Sequence, residues 1–281
     1  MLEWIDTFLK VYELKSFSLA AQSLFIAQPT VSSHIKKLED NFNTPLFLRN
    51  GKQEIIPTPE ADFLYPRFLQ IRKELNYSIA QMRNKENFQE DCILACSNTT
   101  AITLLPPLMK DLMKAFPMVN FIVHLTNSKG VAEEIYSQKA HLGLLEKPIN
   151  TAHLKKEILF EDELVLAGNK TENTWILREK DSGIRFYNEL YLNEHDLHPR
   201  ILQVDNNEVL IRLLEENVGQ SIISKLSLTK DIPFEPMKNS IKKREIFLVS
   251  PIFNTTPTIT KIYQWLKDIP WNTFIKDISH V

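Results

Sequence analysis

Hydroxyl, amide and lysine side chains cluster on one side of the segment from Gln28 to Phe42. The apolar residues of this segment recur at spacings of four, three and four. On a helix with about 3.6 residues per turn they share one face, which leaves polar groups opposite. Such groups bond phosphate oxygens and base edges in a DNA major groove. The apolar face comprises Val31, Ile35, Leu38 and Phe42; the polar face comprises Pro29, Thr30, Ser33, Lys36 and Lys37, flanked by Ser32 and His34, with Gln28 at the cap.

The elements around this helix must hold it in place. Residues 4–14 and 18–25 are two further predicted helices, and Ser18 is the predicted cap of the second. Asn50-Gly51 between apolar runs favours a hairpin with Arg49 and Lys52 at its tip. The layout is that of a winged helix-turn-helix, although a three-helix core with an ordinary polar surface would give the same pattern. The apolar residues predicted to be buried are Ile5, Phe8, Leu9 and Tyr12 in the first helix and Leu19, Ala20, Leu24 and Phe25 in the second.

Residues 59–88 are predicted to form one long connecting helix. Thr58 caps it, Pro59 occupies its first position, and Pro66 should kink it or delay its regular start. A helix of about 28 residues is roughly 42 Å long, which suits pairing with a second copy of itself. Packing on its own chain is the alternative. The seam follows an approximate heptad spacing through Leu64, Phe68, Ile71, Leu75 and Met82, with Ile79 on its edge.

Composition and charge limit the classes of function. The 281 residues carry a net charge of −2, so any surface that attracts nucleic acid must be local. Few phosphate contacts in each half-site predict modest affinity per monomer and a dependence on dimerisation. No run of 18 apolar residues and no secretion signal is evident, which predicts a cytoplasmic protein without membrane contact. Within residues 1–58, six cations (Lys10, Lys15, Lys36, Lys37, Arg49, Lys52) balance six acids (Glu3, Asp6, Glu13, Glu39, Asp40, Glu54).

No pattern of catalytic or metal-binding residues emerges. His195 and His198 lack a cysteine or carboxylate partner at metal spacing, and six glycines provide neither a P-loop nor a dinucleotide fingerprint. Cys92 and Cys96 lie about 13 Å apart along a predicted strand, beyond the reach of a disulfide. We expect buried thiols rather than a redox sensor, and neither enzymatic activity, nor a metal, nor a cofactor.

Beyond Asp91 the pattern alternates strand and helix, which predicts an α/β domain with largely parallel sheets. Ligands of such sheets bind at the carboxyl ends of strands, near helix amino termini. Arg178 and Arg185 flank one of the polar turns, so an anionic ligand is favoured. Plain helix capping is the alternative for any single turn. The four polar turns are Ser97-Asn98-Thr99-Thr100, Thr126-Asn127-Ser128, Asp181-Ser182-Gly183 and Asp205-Asn206-Asn207.

The first 60 residues resemble the amino-terminal domain of LysR-type transcriptional regulators. The matching positions are Phe8, Ser16-Phe17, Ala20-Ala21, Leu24, Gln28-Pro29, Val31-Ser32, Ile35, Leu38-Glu39, Pro45-Leu46-Phe47, Arg49 and Thr58-Pro59. Ala61 replaces the family's usual glycine, a change expected to affect only a helix surface. The resemblance implies that residues 1–58 bind double-stranded DNA, with the helix-turn-helix at about 18–37, and that 59–88 forms the dimer's coiled coil. The implied DNA-facing residues are Gln28, Pro29, Thr30, Ser32, Ser33, Lys36 and Lys37, with Arg49 and Lys52 from the wing.

The larger half of the chain contains the stretches ILACSNTTAITLLPPLMKDLMKAFP, HLGLLEKPI and WILREKDSGIR. With these stretches, residues 91–281 resemble the effector domain of the same family. The resemblance implies a periplasmic-binding-protein-like fold (type II) of two subdomains, one formed by about 91–160 and 255–281 and the other by 161–254, with crossovers at 159–162 and after Ser250. His141 and Asn206 depart from the family's usual residues and affect contacts around the cleft. The residues implied to line the cleft are Ser97, Thr99, Thr100, Ser128, Ser182 and Arg185.

The sequence thus predicts an α+β multidomain regulator that acts as a homodimer or homotetramer. A small effector that closes the cleft would change the angle between its DNA-binding domains. RNA polymerase would be a further partner if the protein activates transcription. The alternative is a module that sequesters a solute and uses its amino-terminal domain for assembly without sequence preference. An enzyme on the same fold is a third and disfavoured hypothesis.

Overall fold

A computed structural model describes residues 1–50, 54–83, 89–146, 154–171, 173–237, 242–252 and 256–278. The chain divides into two compact units, Met1–Phe88 and Gln89–Val281. None of the helices in the described residues combines the length and the apolar character needed to cross a membrane.

Three helices form the core of the first unit. They are α1 (Leu2–Leu14), α2 (Phe17–Leu24) and α3 (Gln28–Phe42). Each ends on a non-glycine residue in the left-handed conformation, namely Lys15, Phe25 and Asn43. These residues end the helices within a single position, so α2 and α3 are joined by a tight turn.

The buried face of α2 differs from the sequence prediction. Ser16, not Ser18, caps the helix, because its hydroxyl accepts a hydrogen bond from the backbone N–H of Leu19 at 3.2 Å. Phe25 lies just past the helix end with φ of 55° and is 95% exposed, and Leu19 is half exposed. Both were predicted to be buried. Ala20 is buried as predicted, together with Phe17 and Ala21.

The wing is an antiparallel hairpin of β1 (Phe47–Asn50) and β2 (Glu54–Pro57), in which Arg49 pairs with Ile55. The Gly51 position of the predicted turn and Lys52 lie outside the described residues, and Arg49 is described through its backbone alone. The carboxylate of Glu39 on α3 accepts hydrogen bonds from the N–H groups of Leu46 and Phe47, at 2.7 and 3.3 Å. The start of the wing is therefore tied to α3.

The connecting helix α4 (Pro59–Arg83) contributes its first half to this core. Thr58 caps it as predicted, accepting from the N–H of Ala61 at 3.2 Å, while its hydroxyl donates to the carbonyl of Pro45 at 2.9 Å. Ala61 is fully buried, so the prediction that it affects only a helix surface is wrong. Pro66 lies inside the helix and does not delay its start. Tyr65 stacks on Tyr12 of α1 with ring centroids 4.0 Å apart.

The predicted seam of α4 divides into two parts. Phe68 is buried in the core of the first unit and Leu64 packs against that core. Ile71 and Met82 are 45% and 68% exposed. The second half of the described helix thus offers apolar side chains at its surface; residues 84–88 of the predicted connector lie outside the described residues.

The second unit alternates strands and helices, with one mixed sheet as its framework. In chain order its elements are β3 (Glu90–Ser97), α5 (Asn98–Thr103), α6 (Leu105–Ala115), β4 (Val119–Thr126), α7 (Ser128–Tyr136), β5 (Leu142–Leu145), β6 (Leu154–Gly168), β7 (Thr174–Leu177), α8 (Gly183–Glu194), β8 (Arg200–Gln203), α9 (Asn207–Glu215), β9 (Gln220–Ser224), β10 (Phe234–Pro236), β11 (Lys243–Pro251), α10 (Pro257–Asp268) and α11 (Trp271–Ile278).

The strand order β4-β3-β5-β11-β6-β9-β7-β8, with β10 on β6, divides this sheet into two halves. β3 pairs in parallel with β4 and β5, and β7 with β8 and β9. β6 belongs to both halves, since residues 154–163 pair with β11 and residues 164–168 pair with β9, both antiparallel. The sheet is therefore more mixed than predicted. Phe247 already pairs with Leu145 of β5, so we place the return to the first half near residue 247 rather than 255.

Several elements differ from their predicted bounds for local reasons. Asn98, Thr99 and Thr100 form the first turn of α5 instead of a separate loop. The segment from Asn98 to Ala115 forms two helices, because α6 begins anew at Leu105 with prolines in its first turn.

Candidate nucleic-acid interface and ligand site

Helix α3 is fixed by one face and presents the other to solvent. Val31, Ile35 and Leu38 are essentially inaccessible, whereas Phe42, predicted to join them, is 41% exposed and contacts the ring of Phe68. The opposite face is the one predicted to meet DNA. Gln28, Pro29, Ser33, Lys36 and Lys37 are exposed, and Thr30 and Ser32 are half-buried.

Some members of this polar face are already engaged with the protein. The amide of Gln28 donates to the hydroxyl of Ser32 at 3.1 Å, and the ammonium of Lys37 lies 5.4 Å from the ring centroid of Trp4. Nδ1 of His34 lies 2.8 Å from the hydroxyl of Thr7, which itself donates to the carbonyl of Glu3. The single hydroxyl hydrogen of Thr7 is thus used, so Nδ1 of His34 is the donor. His34 therefore bonds to α1.

The first turn of α3 lacks a side-chain cap. Ala27 occupies the cap position, and Gln28, which was predicted there, is the first helical residue. Pro29 has no N–H, and the N–H of Thr30 bonds to the carbonyl of Ala27 at 2.9 Å. In the described part of the chain, Ser33 and Lys36 make no hydrogen bond or ion pair that would hold them away from a ligand. They are the most available groups of this face.

Four of the predicted ligand-site residues lie around the ends of β3 and β5 and the first turns of α7 and α8. The hydroxyls of Ser97 and Thr100 lie 3.0 Å apart, and that of Thr100 is 3.2 Å from the carbonyl of Leu144. Ser128, at the start of α7, donates weakly to Glu146 at 3.4 Å. These three and Ser182, at the start of α8, are buried polar side chains. Thr99 is buried as well, and its carbonyl accepts a hydrogen bond from Thr103 within α5.

The two halves of the sheet approach each other at this place. A Cβ atom added to Gly183, next to Ser182, would lie 2.9 Å from Cγ of Glu146 and 3.2 Å from the hydroxyl oxygen of Ser128. Glycine at position 183 therefore allows α8 to begin directly against residues of the other half. Ser128, Glu146 and Ser182 share one polar region, which we call the cleft.

The two arginines that favoured an anionic ligand are engaged elsewhere. Arg178 makes a two-fold contact with Glu179 and also donates to the side chain of Asn207 and the carbonyl of Asp205. Arg185 donates to Glu189, to Gln203 and to the carbonyl of Arg178. Their donors already stabilise the second half of the sheet. Arg185 is therefore a structural residue in this half of the sheet, and its donors are not free to bind an anion.

A third buried arginine, Arg244, was not identified from the sequence. It lies on β11 opposite Asp162 of β6 and is fully buried. Its Nε donates to Asp162 at 2.8 Å, and its Nη1 lies 3.5 Å from Glu146. Burial opposes the charge of Arg244, but the two carboxylates outweigh this and raise its pKa. Burial raises the pKa of the Asp162 carboxyl, although Arg244 and the hydroxyl of Ser224 act in the opposite direction.

Comparison with known proteins decides the family. Two family models match the chain, the bacterial regulatory helix-turn-helix protein, lysR family, over residues 2–62 and the LysR substrate binding domain over residues 88–268. The HTH-type transcriptional regulator CysL of Bacillus subtilis is 30% identical over 275 residues, which cover 90% of this chain and 92% of CysL. The chain belongs to the LysR family of transcriptional regulators.

Solved structures share the fold of this LysR-type regulator along nearly its full length. A full-length cysteine variant of OxyR from Pseudomonas aeruginosa gives a TM-score of 0.62 at 14% identity, covering 96% of this chain and 98% of that one. Full-length CbnR complexed with its target DNA gives 0.54 at 16% identity, covering 95% and 98%. The predicted fold class is confirmed. The protein is a DNA-binding transcriptional regulator with an effector-binding domain.

The environment of the two cysteines of this LysR-type regulator disfavours reaction at either thiol. Cys92 and Cys96 are inaccessible and free. Burial, with smaller contributions from Glu90 and Glu146 respectively, raises the pKa of each thiol to about 12. A thiol that stays protonated at neutral pH is a poor nucleophile and reacts slowly with oxidants.

The residues that depart from the family pattern have local structural roles here. Nδ1 of His141 accepts a hydrogen bond from the N–H of Ile93 at 2.9 Å, so this histidine extends the contact between β3 and the approach to β5. The side chain of Asn206 accepts from the N–H groups of Glu208 and Val209 and caps α9. Asn127 caps α7 in the same way. Two of the four polar turns are thus capped by asparagine, in line with the capping alternative.

Proposed function

We propose that this LysR-type regulator contacts one half-site of a partly palindromic DNA duplex through the exposed face of α3 in each subunit. The observation that carries the proposal is the burial of Val31, Ile35 and Leu38, because a helix anchored along one face presents the other at a fixed orientation. Ser33 and Lys36 lie at the centre of the presented face. From the wing, Arg49 and Lys52 are proposed to contact the neighbouring phosphate backbone of the DNA.

The experiment is a titration of full-length protein against a duplex containing the promoter beside its own gene, at several salt concentrations. Lys36→Ala should weaken binding to every sequence and reduce the salt slope by about one per half-site. Ser33→Ala should change the preference among sequences more than the salt slope. Lys230→Ala, which removes an exposed lysine from the second unit, is the matched control and should leave both unchanged. Unchanged binding in both α3 variants would refute the proposed interface.

We also propose that a small anionic effector binds in the cleft and alters operator binding. The support is the group of buried hydroxyls Ser97, Thr100, Ser128 and Ser182 at strand ends and helix amino termini. Hydroxyls and free backbone N–H groups at such positions offer donors to an anion. A footprint repeated with small anions tests this, since an effector should change the extent of the protected region or its bend. No change with any anion that binds would contradict it.

The subunits are proposed to assemble as homodimers or homotetramers. The support is the exposed apolar part of α4 and the edge strand β4, where Ile122, Val123 and Leu125 are exposed. An unpaired strand edge with apolar side chains invites a second chain. RNA polymerase is a further proposed partner if the protein activates transcription.

A further inference from the structure

Arg244 is buried with four of its five N–H donors unused, those on Nη1 and Nη2. Its Nε donates to Asp162, but neither Nη1 nor Nη2 has a hydrogen-bond acceptor among the described residues. Glu146 approaches Nη1 only to 3.5 Å, at poor geometry for a hydrogen bond. Buried donors are almost always paired, because leaving them unpaired forfeits their bonds to water. These two nitrogens therefore need an acceptor that the described residues do not supply.

The position of Arg244 connects it to the cleft. Its contact Glu146 is also the residue that Ser128 approaches and against which α8 begins at Gly183. The side chain of Tyr187 on α8 interacts electrostatically with Arg244. The guanidinium is thus enclosed by residues of both halves of the sheet, beside the hydroxyls already assigned to the cleft.

We infer that Arg244 binds the carboxylate, or a comparable oxyanion, of the effector through Nη1 and Nη2. The inference rests on the proposed effector site and names the group that recognises the anion there. Two adjacent nitrogens of a guanidinium match two oxygens of a carboxylate, sulfate or phosphate, and the resulting pair of charge-assisted hydrogen bonds is both strong and directional. Asp162 holds the guanidinium from its other edge, so Arg244 is oriented before the ligand arrives.

The carboxylate of Glu146 should weaken anion binding at Arg244. Its carboxylate lies 3.5 Å from the nitrogen that would receive the anion, so it repels that anion and competes for Arg244. Replacing it by glutamine removes the charge while keeping the size and an oxygen for the hydroxyl of Ser128. An anion should then bind more tightly, whereas a residue that simply lines the site would lose affinity when changed.

The test is a thermal-shift and calorimetric titration of the full-length protein with acetate, inorganic sulfate and inorganic phosphate as probes. Chloride at matched ionic strength is the reference, because sulfate also stabilises proteins without binding to a site. Arg244→Lys keeps the charge but removes the paired nitrogens, and Arg200→Lys makes the same change at an exposed position on β8. The carboxylate and the tetrahedral oxyanions are separate arms that identify the preferred class.

Saturable binding of at least one probe should weaken tenfold or more in Arg244→Lys, tighten several-fold in Glu146→Gln, and stay unchanged in Arg200→Lys. Equal binding by wild type and Arg244→Lys would overturn the inference, as would the absence of saturable binding to wild type, which would indicate that a buried water or a rotated Glu146 satisfies Arg244. If Arg244→Lys fails to fold, Glu146→Gln decides alone. Saturable binding that is equal in wild type and Arg244→Lys would leave the proposed effector site intact and refute only the role of Arg244, whereas no saturable binding of any probe would count against the proposed site as well.

Discussion

At the scale of single residues, Ala27 limits the stability of α3, the helix proposed to contact DNA. It occupies the cap of α3 with extended backbone angles (φ −74°, ψ 143°) and offers no side-chain acceptor. We expect Ala27→Ser to raise the free energy of unfolding by about 0.5 kcal/mol, the low end for a helix cap, because its hydroxyl would share the N–H of Thr30, which already bonds to the carbonyl of Ala27. Chemical denaturation of the full-length protein measures the change.

Ala27→Val is the control for this substitution, since valine adds volume but no acceptor and is as poor a cap as alanine. The valine variant should not gain stability. If both variants were equally stable, the missing hydroxyl would not be what limits the first turn of α3.

How far the sequence could predict the candidate site depends on the element. The exposure of Ser33 and Lys36 could be predicted because a helix has a regular period, so buried neighbours fix which residues are exposed. Arg244 lies in a run of charged residues, Lys242 to Glu245, that resembles an ordinary solvent-exposed segment. Only the pairing of β11 with β6 brings it against Asp162. Arg185, by contrast, was assigned to an anion although Glu189 follows it at the i, i+4 spacing of a helical ion pair. Only its contact with Gln203 depends on the tertiary fold.

At the scale of elements, the position of the wing depends on Glu39. Its carboxylate bonds the N–H groups of Leu46 and Phe47, two buried residues at the start of the hairpin. We expect Glu39→Ala to lower the free energy of unfolding by roughly 1–3 kcal/mol, because it leaves these donors unpaired. Glu39→Gln keeps one oxygen and should lose less. Thermal denaturation measures stability, and a duplex titration measures the accompanying loss of DNA affinity.

The neighbouring Asp40 provides the matched control for this experiment. It is exposed on the other side of α3, so Asp40→Ala should change stability by no more than about 0.5 kcal/mol. A loss in Asp40→Ala as large as that in Glu39→Ala would mean that charge on α3, and not the tie to the wing, accounts for the effect.

Helices and strands were predicted well where the apolar residues follow one clear periodicity. They were predicted poorly where tertiary contacts determine which residues are buried or paired. The buried stripe of α3 and the cap at Thr58 followed from spacing and residue type. The face of α2 was assigned wrongly, because its eight residues contain apolar side chains all around and the left-handed Phe25 turns outward at the end. The residue pattern of β6 does not indicate one continuous strand from Leu154 to Gly168. Its first half is not uniformly apolar, and its pairing with β11 rather than its own pattern makes it a strand.

At the scale of the whole molecule, the low positive charge of each subunit makes DNA affinity depend on assembly. The net charge is −2, and residues 1–58 carry equal numbers of cations and acids, so a single subunit offers few phosphate contacts. A dimer adds the phosphate contacts of its two subunits. Once one subunit is bound, the second subunit is held close to the other half-site, so its binding is effectively intramolecular. We therefore expect tight binding to an operator to require a dimer. The apolar surface available for it on α4 lies beyond the part that is buried in the first unit.

Ile71 tests that assembly directly. It is exposed on α4 just past Phe68, the last residue of the helix that is buried in the core of the first unit. If α4 pairs with a second copy, Ile71→Glu places a carboxylate in an apolar seam, and we expect the dimer to weaken by about 3 kcal/mol, or roughly 100-fold in its dissociation constant. Asn76→Glu adds the same charge on a different side of α4, at an exposed position, and should leave the dimer intact. Sedimentation equilibrium measures assembly and a duplex titration measures operator affinity, which should fall together in Ile71→Glu alone. A variant that stays dimeric would place the subunit contact elsewhere, with the exposed edge of β4 as the next surface to change.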